Sequence, residues 1–274
     1  MEAQITLLRA DLTFPESPRW HEGHVWCSDD HRVLRVSPAG EVQVMARLDS
    51  HVLGIQCHDG ALFAAIAHQR RIVRIDAQRQ VTDHADLSPL FDRPMNEFVF
   101  GPGGDIYAGH MGFDIRQGEP PRPARMARIR PDGHMALTGP ELWFANGMAL
   151  SVEGDALIVA ESMAQRITRI PILPDGELGE AEIFADLSER GDHPDGLCVA
   201  ADGSVWYAAH AHLTRVARGG AVLSRIALPF AFATSCVLGK GGDLYVTALR
   251  HRPGPDAPPQ ADAVLARVAL PAHS

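Results

Sequence analysis

The stretch HPDGLCVAADGSVWYAAHAHLTRVARGG, residues 193–220, contains the unit from which this chain is built. Three short apolar segments, LCVA, VWYAA and LTRV, are separated by turn-forming pairs such as Asp202-Gly203 and Gly219-Gly220. Short apolar runs between Gly, Pro, Asp and Asn turns are typical of β-strands. The stretch therefore predicts consecutive antiparallel strands rather than a helix.

The same order of segments occurs six times along the 274 residues. Four of the six copies begin with a carboxylate or carboxamide, about eight residues before the glycine that ends the first strand. We call these residues the four polar openers: Glu16, Asn96, Asn146 and Asp195. The other two copies place Val52-Leu53 and Thr234-Ser235 there. A repeat that keeps its scaffold and varies one polar position predicts a shared site at that position.

Repeats of roughly 40 to 50 residues with four short strands each are typical of β-propeller blades. The sequence thus predicts an all-β, six-bladed β-propeller with four antiparallel strands per blade, formed by one domain over residues 1–274. Residues 4–8 form a spare β-like segment before the first copy, while the sixth copy has little chain left for an outer strand. We therefore expect the N-terminal strand to close the last blade.

Composition narrows the class of partner. The net charge of −9 is spread without long acidic or basic blocks, which argues against nucleic acid or an anionic membrane. No run approaches the roughly 18 apolar residues of a membrane span, and the N-terminus lacks the features of a signal peptide. These observations favour a cytoplasmic protein. Its four cysteines have no CxxC or metal-type spacing and are expected to be buried, reduced thiols.

The predicted fold gives the four polar openers a common location. In a propeller the innermost strand of each blade lines the central channel, so the openers should ring one mouth of it. Carboxylate and amide oxygens suit Ca, Mg or Mn, or a catalytic Zn or Fe site with open positions. A single divalent ion there would polarise a carbonyl and lower the pKa of bound water.

A simpler alternative exists for two of the openers. Asn-Gly and Asp-Gly pairs are ordinary turn formers, so Asn146-Gly147 and Asp195-Gly196 could be no more than turns. The register that they share with Glu16 and Asn96 favours a functional role instead.

Several motifs resemble the senescence marker protein, regucalcin and gluconolactonase family of metal-dependent sugar lactonases. They are ESP-W at residues 16–20, Asn96-Glu97, the NG-hydrophobic-x-x-S motif at residues 146–151, and PDGL-x-V-x-x-DG-x-VW-x-A at residues 194–208. The resemblance implies a six-bladed propeller with one divalent metal ion, Ca, Zn, Mn or Fe. It also implies that Glu16, Asn146 and Asp195 bind the metal, that Asn96 contacts substrate, and that Asp195 is the general base.

The chain departs from the family pattern around Asn96, the opener of the third copy. Glu97 stands where many relatives have Asp, and Pro94 replaces an arginine, with Arg93 one place earlier. Glu97 should point away from Asn96 if strand pairing is regular. The Pro-rich insertion at residues 113–124 is expected to be a loop over the mouth and a possible lid, and His110 directly precedes it. The candidate substrate-binding residues are Asn96, His110, Arg93 and Glu97.

The leading hypothesis is a gluconolactonase-like hydrolase that opens a small-molecule lactone, with a sugar (aldono-) lactone as the expected substrate. One alternative is a metal-dependent esterase or phosphotriesterase, which a deep apolar channel mouth would favour. Another is a non-catalytic propeller that binds a ligand or calcium. A GxSxG elbow, a P-loop and a dinucleotide fingerprint are absent from the sequence. The sequence leaves the oligomeric state open.

Overall fold

The computed structural model describes residues 3–251 and 261–270. Within these ranges, 24 strands form six antiparallel sheets of four strands each. Short 3-10 turns lie at Pro102–Gly104, Ile115–Gln117, Ser162–Ala164 and Ser188–Arg190. The predicted six-bladed, all-β propeller is confirmed. No helix in the described part of the chain is both long enough and apolar enough to span a membrane.

The strands follow the order of the sequence repeats. The chain begins with β1 (Gln4–Leu12). The next three blades consist of β2 (Pro15–His21), β3 (His24–Asp29), β4 (Arg32–Val36) and β5 (Val42–Arg47); β6 (Val52–His58), β7 (Ala61–Ile66), β8 (Arg71–Ile75) and β9 (Val81–Asp86); and β10 (Met95–Phe100), β11 (Ile106–His110), β12 (Ala124–Ile129) and β13 (Met135–Leu142).

The fourth, fifth and sixth blades repeat the same pattern. They consist of β14 (Ala145–Leu150), β15 (Ala156–Glu161), β16 (Arg166–Pro171) and β17 (Glu182–Asp186); β18 (Leu197–Val199), β19 (Val205–Ala209), β20 (His212–Val216) and β21 (Val222–Ala227); and β22 (Phe232–Leu238), β23 (Leu244–Leu249) and β24 (Ala263–Ala269), followed in the sheet by β1.

The ring closes at two levels. The inner strands of neighbouring blades contact one another in sequence, and β22 of the sixth blade contacts β2 of the first. At the outer edge, β1 pairs antiparallel with β24, from Gln4 opposite Ala269 to Leu12 opposite Ala263. The expected closure of the last blade by the N-terminal strand is therefore confirmed, and it covers the edge of β24 that would otherwise expose unpaired backbone groups.

The core lies between the blades rather than inside one of them. In five of the six blades the second strand is buried along its whole length, and in the first blade only His24 at the start of β3 is half-buried, because neighbouring sheets cover both faces. Such strands read as continuous apolar runs, for example ALFAAI in β7 and VWYAA in β19. All four cysteines are free thiols, two buried and two half-buried.

Candidate active site

A cavity of about 460 Å³ lies at one mouth of the central channel. All four polar openers line it, although they are separated by up to 179 residues, from Glu16 to Asp195, in the sequence. Asn96 and Asn146 are buried, whereas Glu16 and Asp195 are half-buried at the base of the cavity. The structure therefore brings together the residues that the repeat pattern singled out.

A break in strand pairing presents the openers to the channel. The ladder between β2 and β3 shifts register between Glu16 and Arg19, and equivalent shifts surround Asn96 in β10 and Asn146 in β14. The two copies without a polar opener, β6 and β22, carry a similar shift. Such irregularities change the direction of a side chain and are frequent next to functional sites. Five of the six inner strands thus share the irregularity and differ in the side chain at that place, whereas Asp195 lies just before β18, whose pairing with β19 is regular.

The glycines that follow two of the openers are needed for close packing, not for turns. Gly147 lies inside β14, and neither Gly147 nor Gly196 has a positive φ. The Gly147 amide donates to the Asp195 carbonyl oxygen at 3.2 Å, and a Cβ on Gly147 would lie 2.6 Å from that oxygen. A Cβ on Gly196 would meet Ser235. The turn interpretation is therefore wrong: glycine here allows neighbouring inner strands to approach.

A chain of hydrogen bonds orients the amide side chains across three blades. Asn96 Nδ2 donates to Asn146 Oδ1 at 2.6 Å, and Asn146 Nδ2 donates to Ser162 Oγ at 3.1 Å. Ser162 Oγ in turn donates to the carbonyl oxygen of Pro194, at 2.7 Å, directly before Asp195. The sequence analysis did not single out Ser162 as a site residue, although it follows the end of a second strand.

The two carboxylates of the site have raised pKa values. Loss of hydration raises the pKa of Glu16 well above its ordinary value, and the charges of Asp195 and Glu97 raise it further. The same desolvation, followed by the charge of Glu97, raises the pKa of Asp195 to about 8, against a hydrogen bond from Asn146 that lowers it. The nearby guanidinium of Arg19 is engaged by Glu97 at 3.1 Å. Negative charge in this cavity is therefore poorly compensated.

The chemistry of these residues fits a hard divalent cation. Within the described ranges, no group of three or more His, Cys, Asp and Glu side chains is placed to hold a metal ion. The set expected from the resemblance has only two such residues, Glu16 and Asp195, and takes its third donor from the amide of Asn146. Positive charge between two desolvated carboxylates would stabilise their ionised forms. Asn146 Oδ1 accepts one hydrogen bond and keeps a second lone pair.

Three candidate substrate-binding residues lie outside the lining of this cavity. Glu97 lies deeper in the channel, where its Oε2 accepts hydrogen bonds from Arg19 of the first blade and the Met148 amide of the fourth. Regular pairing does not hold next to it, because the ladder shifts register between Met95 and Phe98. Glu97 therefore contacts the inner strands around it and acts on the site through its charge.

Arg93 and His110 are also held away from the cavity. Arg93 donates to Glu119 from Nε at 2.6 Å and from Nη2 at 2.8 Å, and both side chains line a separate polar cavity of about 230 Å³. The His110 ring is buried and stacks on Phe91. Substrate contact by these two residues stays a prediction from sequence, and the geometry does not place them beside the four polar openers.

Half of the residues that line the cavity are apolar, which the sequence analysis missed. We call the following residues the apolar wall: Phe14, Leu53, Met111, Ile115, Phe144, Met163 and Phe232. Ile115 belongs to the loop at residues 113–124, which therefore reaches the mouth as expected. His193 and His210 complete the rim. Apolar residues also fill the core, so their sequence gave no sign that they face a cavity.

The sequence and fold of this chain match those of several known proteins. The family model described as SMP-30/Gluconolactonase/LRE-like region matches residues 14–250. An L-arabinolactonase of Azospirillum brasilense is 30% identical, over 79% of this chain and 87% of that protein. A pentonolactonase of Haloferax volcanii is 25% identical, over 84% of this chain and 82% of its own. The solved structure of a gluconolactonase from Xanthomonas campestris superposes with a TM-score of 0.79 at 24% identity, covering 98% of this chain and 90% of that one.

Proposed function

The chain belongs to the SMP-30/gluconolactonase/LRE-like family, and we propose that it is a lactone hydrolase that acts in the channel-mouth cavity. The observation that carries the proposal is the convergence of the four polar openers, two of which are carboxylates with raised pKa values. The relatives named L-arabinolactonase and pentonolactonase support sugar lactones as the first substrates to test.

In this proposal Glu16, Asn146 and Asp195 hold one divalent ion, for which Ca, Zn, Mn and Fe remain candidates. When bound, such an ion polarises a carbonyl and lowers the pKa of water. Glu97 contributes negative charge beneath the site, and Arg19 partly balances that charge. Asn96, whose amide is oriented by Asn146, contacts the substrate at the floor of the cavity.

Asp195 is the proposed general base, because desolvation and the charge of Glu97 increase its affinity for a proton. Its carboxylate accepts a proton from water while the water oxygen bonds to the lactone carbonyl carbon. The ring bond between that carbon and the ring oxygen then breaks. Its electron pair goes to the ring oxygen, which takes up the proton from Asp195. The hydroxy acid formed releases one proton near neutral pH, so acid release reports turnover.

The direct test is a lactone panel on chelated protein to which Ca, Mn, Zn or Fe is returned separately. We expect acid release from at least one lactone with at least one metal, and loss of that activity when the metal is removed again. If no lactone is opened with any of these ions, the proposal fails.

The role of Asp195 is tested with Asp195→Asn. We expect the metal content to be retained and kcat to fall about 100-fold or more, because a carboxamide cannot accept the proton. The matched control is Asp59→Asn, an exposed residue on the turn between β6 and β7, which should keep full activity. Unchanged kcat in Asp195→Asn would show that Asp195 is not the general base, whereas wild-type protein that binds metal but opens no lactone would favour the alternative of a non-catalytic binding propeller.

The apolar wall favours a second candidate, a metal-dependent hydrolase of another ester or of a phosphotriester. Aryl esters and phosphotriesters therefore belong in the same panel. A kcat/KM on one of these that exceeds every lactone would replace the first proposal with the second.

A further inference from the structure

The four polar openers, which we call the polar floor, and the seven residues of the apolar wall make up most of the lining of the cavity. Around the ring, the third, fourth and fifth blades supply Asn96, Asn146 and Asp195. The sixth, first and second blades are consecutive across the closure. They contribute Phe232, Phe14 and Leu53, with Glu16 as their only polar opener. The two copies without a polar opener thus place apolar side chains in the blades on either side of Glu16. The third and fourth blades supply the rest of the apolar wall: Met111, Ile115, Phe144 and Met163.

Beyond the four polar openers, the described residues that line the cavity offer the hydroxyl groups of a substrate three polar side chains: Ser162, His193 and His210. No lysine or arginine is among the described residues that line the cavity. Ser162 Oγ already donates to Pro194 and accepts from Asn146. The ring nitrogens of His193 contact the Ser162 carbonyl oxygen at 2.8 Å and Gln165 Nε2 at 3.2 Å. Arg93, the guanidinium that the sequence suggested for this purpose, is engaged by Glu119.

The free lactone of a sugar carries several hydroxyl groups, each of which loses hydrogen bonds with water when it enters an apolar environment. A methylene group in the same place gains free energy by leaving water. A cavity of about 460 Å³ also lies within the range that holds ligands much larger than a bare five-membered ring. The apolar wall therefore weakens the binding of substrates that place hydroxyl groups against it and strengthens the binding of substrates that place hydrocarbon there.

We infer that the preferred substrate is a lactone with an alkyl substituent of several carbons, whose ring ester lies on the polar floor and whose chain lies against the apolar wall. The inference rests on the proposed lactonase activity and narrows its substrate class. Sugar lactones then serve as the comparison substrates.

The test uses a homologous series in which only the alkyl chain grows: γ-butyrolactone, γ-valerolactone, γ-hexanolactone and γ-octanolactone, with a pentono-γ-lactone for comparison. We expect kcat/KM to rise about threefold for each added methylene that reaches the wall. γ-Octanolactone should also exceed the pentonolactone at least tenfold. A flat alkyl series, or a pentonolactone that is the best substrate, would overturn the inference.

A pair of variants tests the wall itself. Ile115 in the wall and Ile183 on the outer strand β17 are 56% and 59% exposed, so substitution of either should leave the fold intact. We expect Ile115→Thr to lower the ratio of kcat/KM for γ-octanolactone over γ-butyrolactone about threefold, since it exchanges an ethyl contact for a hydroxyl. Ile183→Thr should leave that ratio unchanged. Equal ratios in both variants would show that Ile115 does not contact the chain.

Binding of a cyclic ketone that cannot be hydrolysed separates this inference from the proposed function. We expect 2-pentylcyclopentanone to bind about 30-fold more tightly than cyclopentanone in calorimetry, and Ile115→Thr to weaken the former. If the long ketone binds in this way but no lactone is hydrolysed, the lactonase proposal fails while the apolar specificity stands. If lactones are hydrolysed but the two ketones bind equally, the specificity inference fails alone.

Discussion

His110 illustrates how the surroundings of a single side chain decide its role. At the end of β11 its ring stacks on Phe91 with the centroids 4.2 Å apart. Its Nδ1 has no hydrogen-bond partner among the described residues. Burial lowers the pKa of His110 to about 4. A neutral buried ring contributes packing, whereas His193, at the rim, lines the cavity; their positions in the sequence did not distinguish these two environments.

The lowered pKa of His110 predicts a loss of stability in acid. The unfolded chain binds a proton at this residue near pH 6.5, but the folded protein does so only near pH 4. The contribution of neutral His110 to the unfolding free energy is therefore fully present above pH 6.5 and is lost as the pH falls toward 4. Between pH 7.5 and 5 the wild type should lose about 2 kcal/mol more unfolding free energy than His110→Leu. Urea denaturation at both pH values measures this difference.

The control for that comparison is His134→Leu, on the exposed turn between β12 and β13, which should lose as much stability as the wild type. An equal acid loss in wild type and His110→Leu would mean that His110 is not held neutral in the folded protein.

At the scale of the strand, Asn146 and the glycine after it, Gly147, act as one unit. The bulge turns the polar side chain into the channel, and the missing Cβ lets the next inner strand approach. The apolar runs were sufficient to predict the strands, because alternation and turn residues are local features. The bulge was not predictable from them, since it depends on how an inner strand packs against its neighbour.

We predict that Gly147→Ala destabilises the protein by about 3 kcal/mol, because the new Cβ would lie within 2.7 Å of backbone atoms on the adjacent inner strand that cannot move aside. It should also reduce activity by displacing Asp195. The matched control is Gly179→Ala, where the nearest atoms are 3.5 Å away and φ is not positive. Thermal and urea unfolding of both variants are the measurements. Equal stability of the two would refute the close-approach explanation.

At the scale of the molecule, closure by β1 joins the two ends of the chain in one sheet. The strand covers the edge of β24, and its residues pack on the core of the last blade, where Leu12 is buried. The ring therefore depends on a pairing between the most distant parts of the sequence.

Removal of residues 1–8, with a new initiating methionine, should lower Tm by about 10 °C or more, because it removes most of the partner of β24 and leaves an exposed strand edge. A chain that lacks only residues 1–2 is the control and should melt like the wild type. Calorimetry of the full chain also tests the single domain predicted from the repeats, for which we expect one cooperative transition. An unchanged Tm in the shorter chain would contradict a stabilising role for β1.

The sequence by itself determined the fold, the closing strand and the polar floor of the site. A repeat of apolar runs is a local signal, and four polar residues in one register of that repeat must meet once the ring forms. Only the tertiary structure decided what surrounds them: the desolvation that raises the pKa values of Glu16 and Asp195, the contacts of Arg93 with Glu119 and of His110 with Phe91, and the apolar wall. These features depend on distances between side chains from different blades. The sequence also does not distinguish an apolar residue that packs in the core from one that faces a cavity.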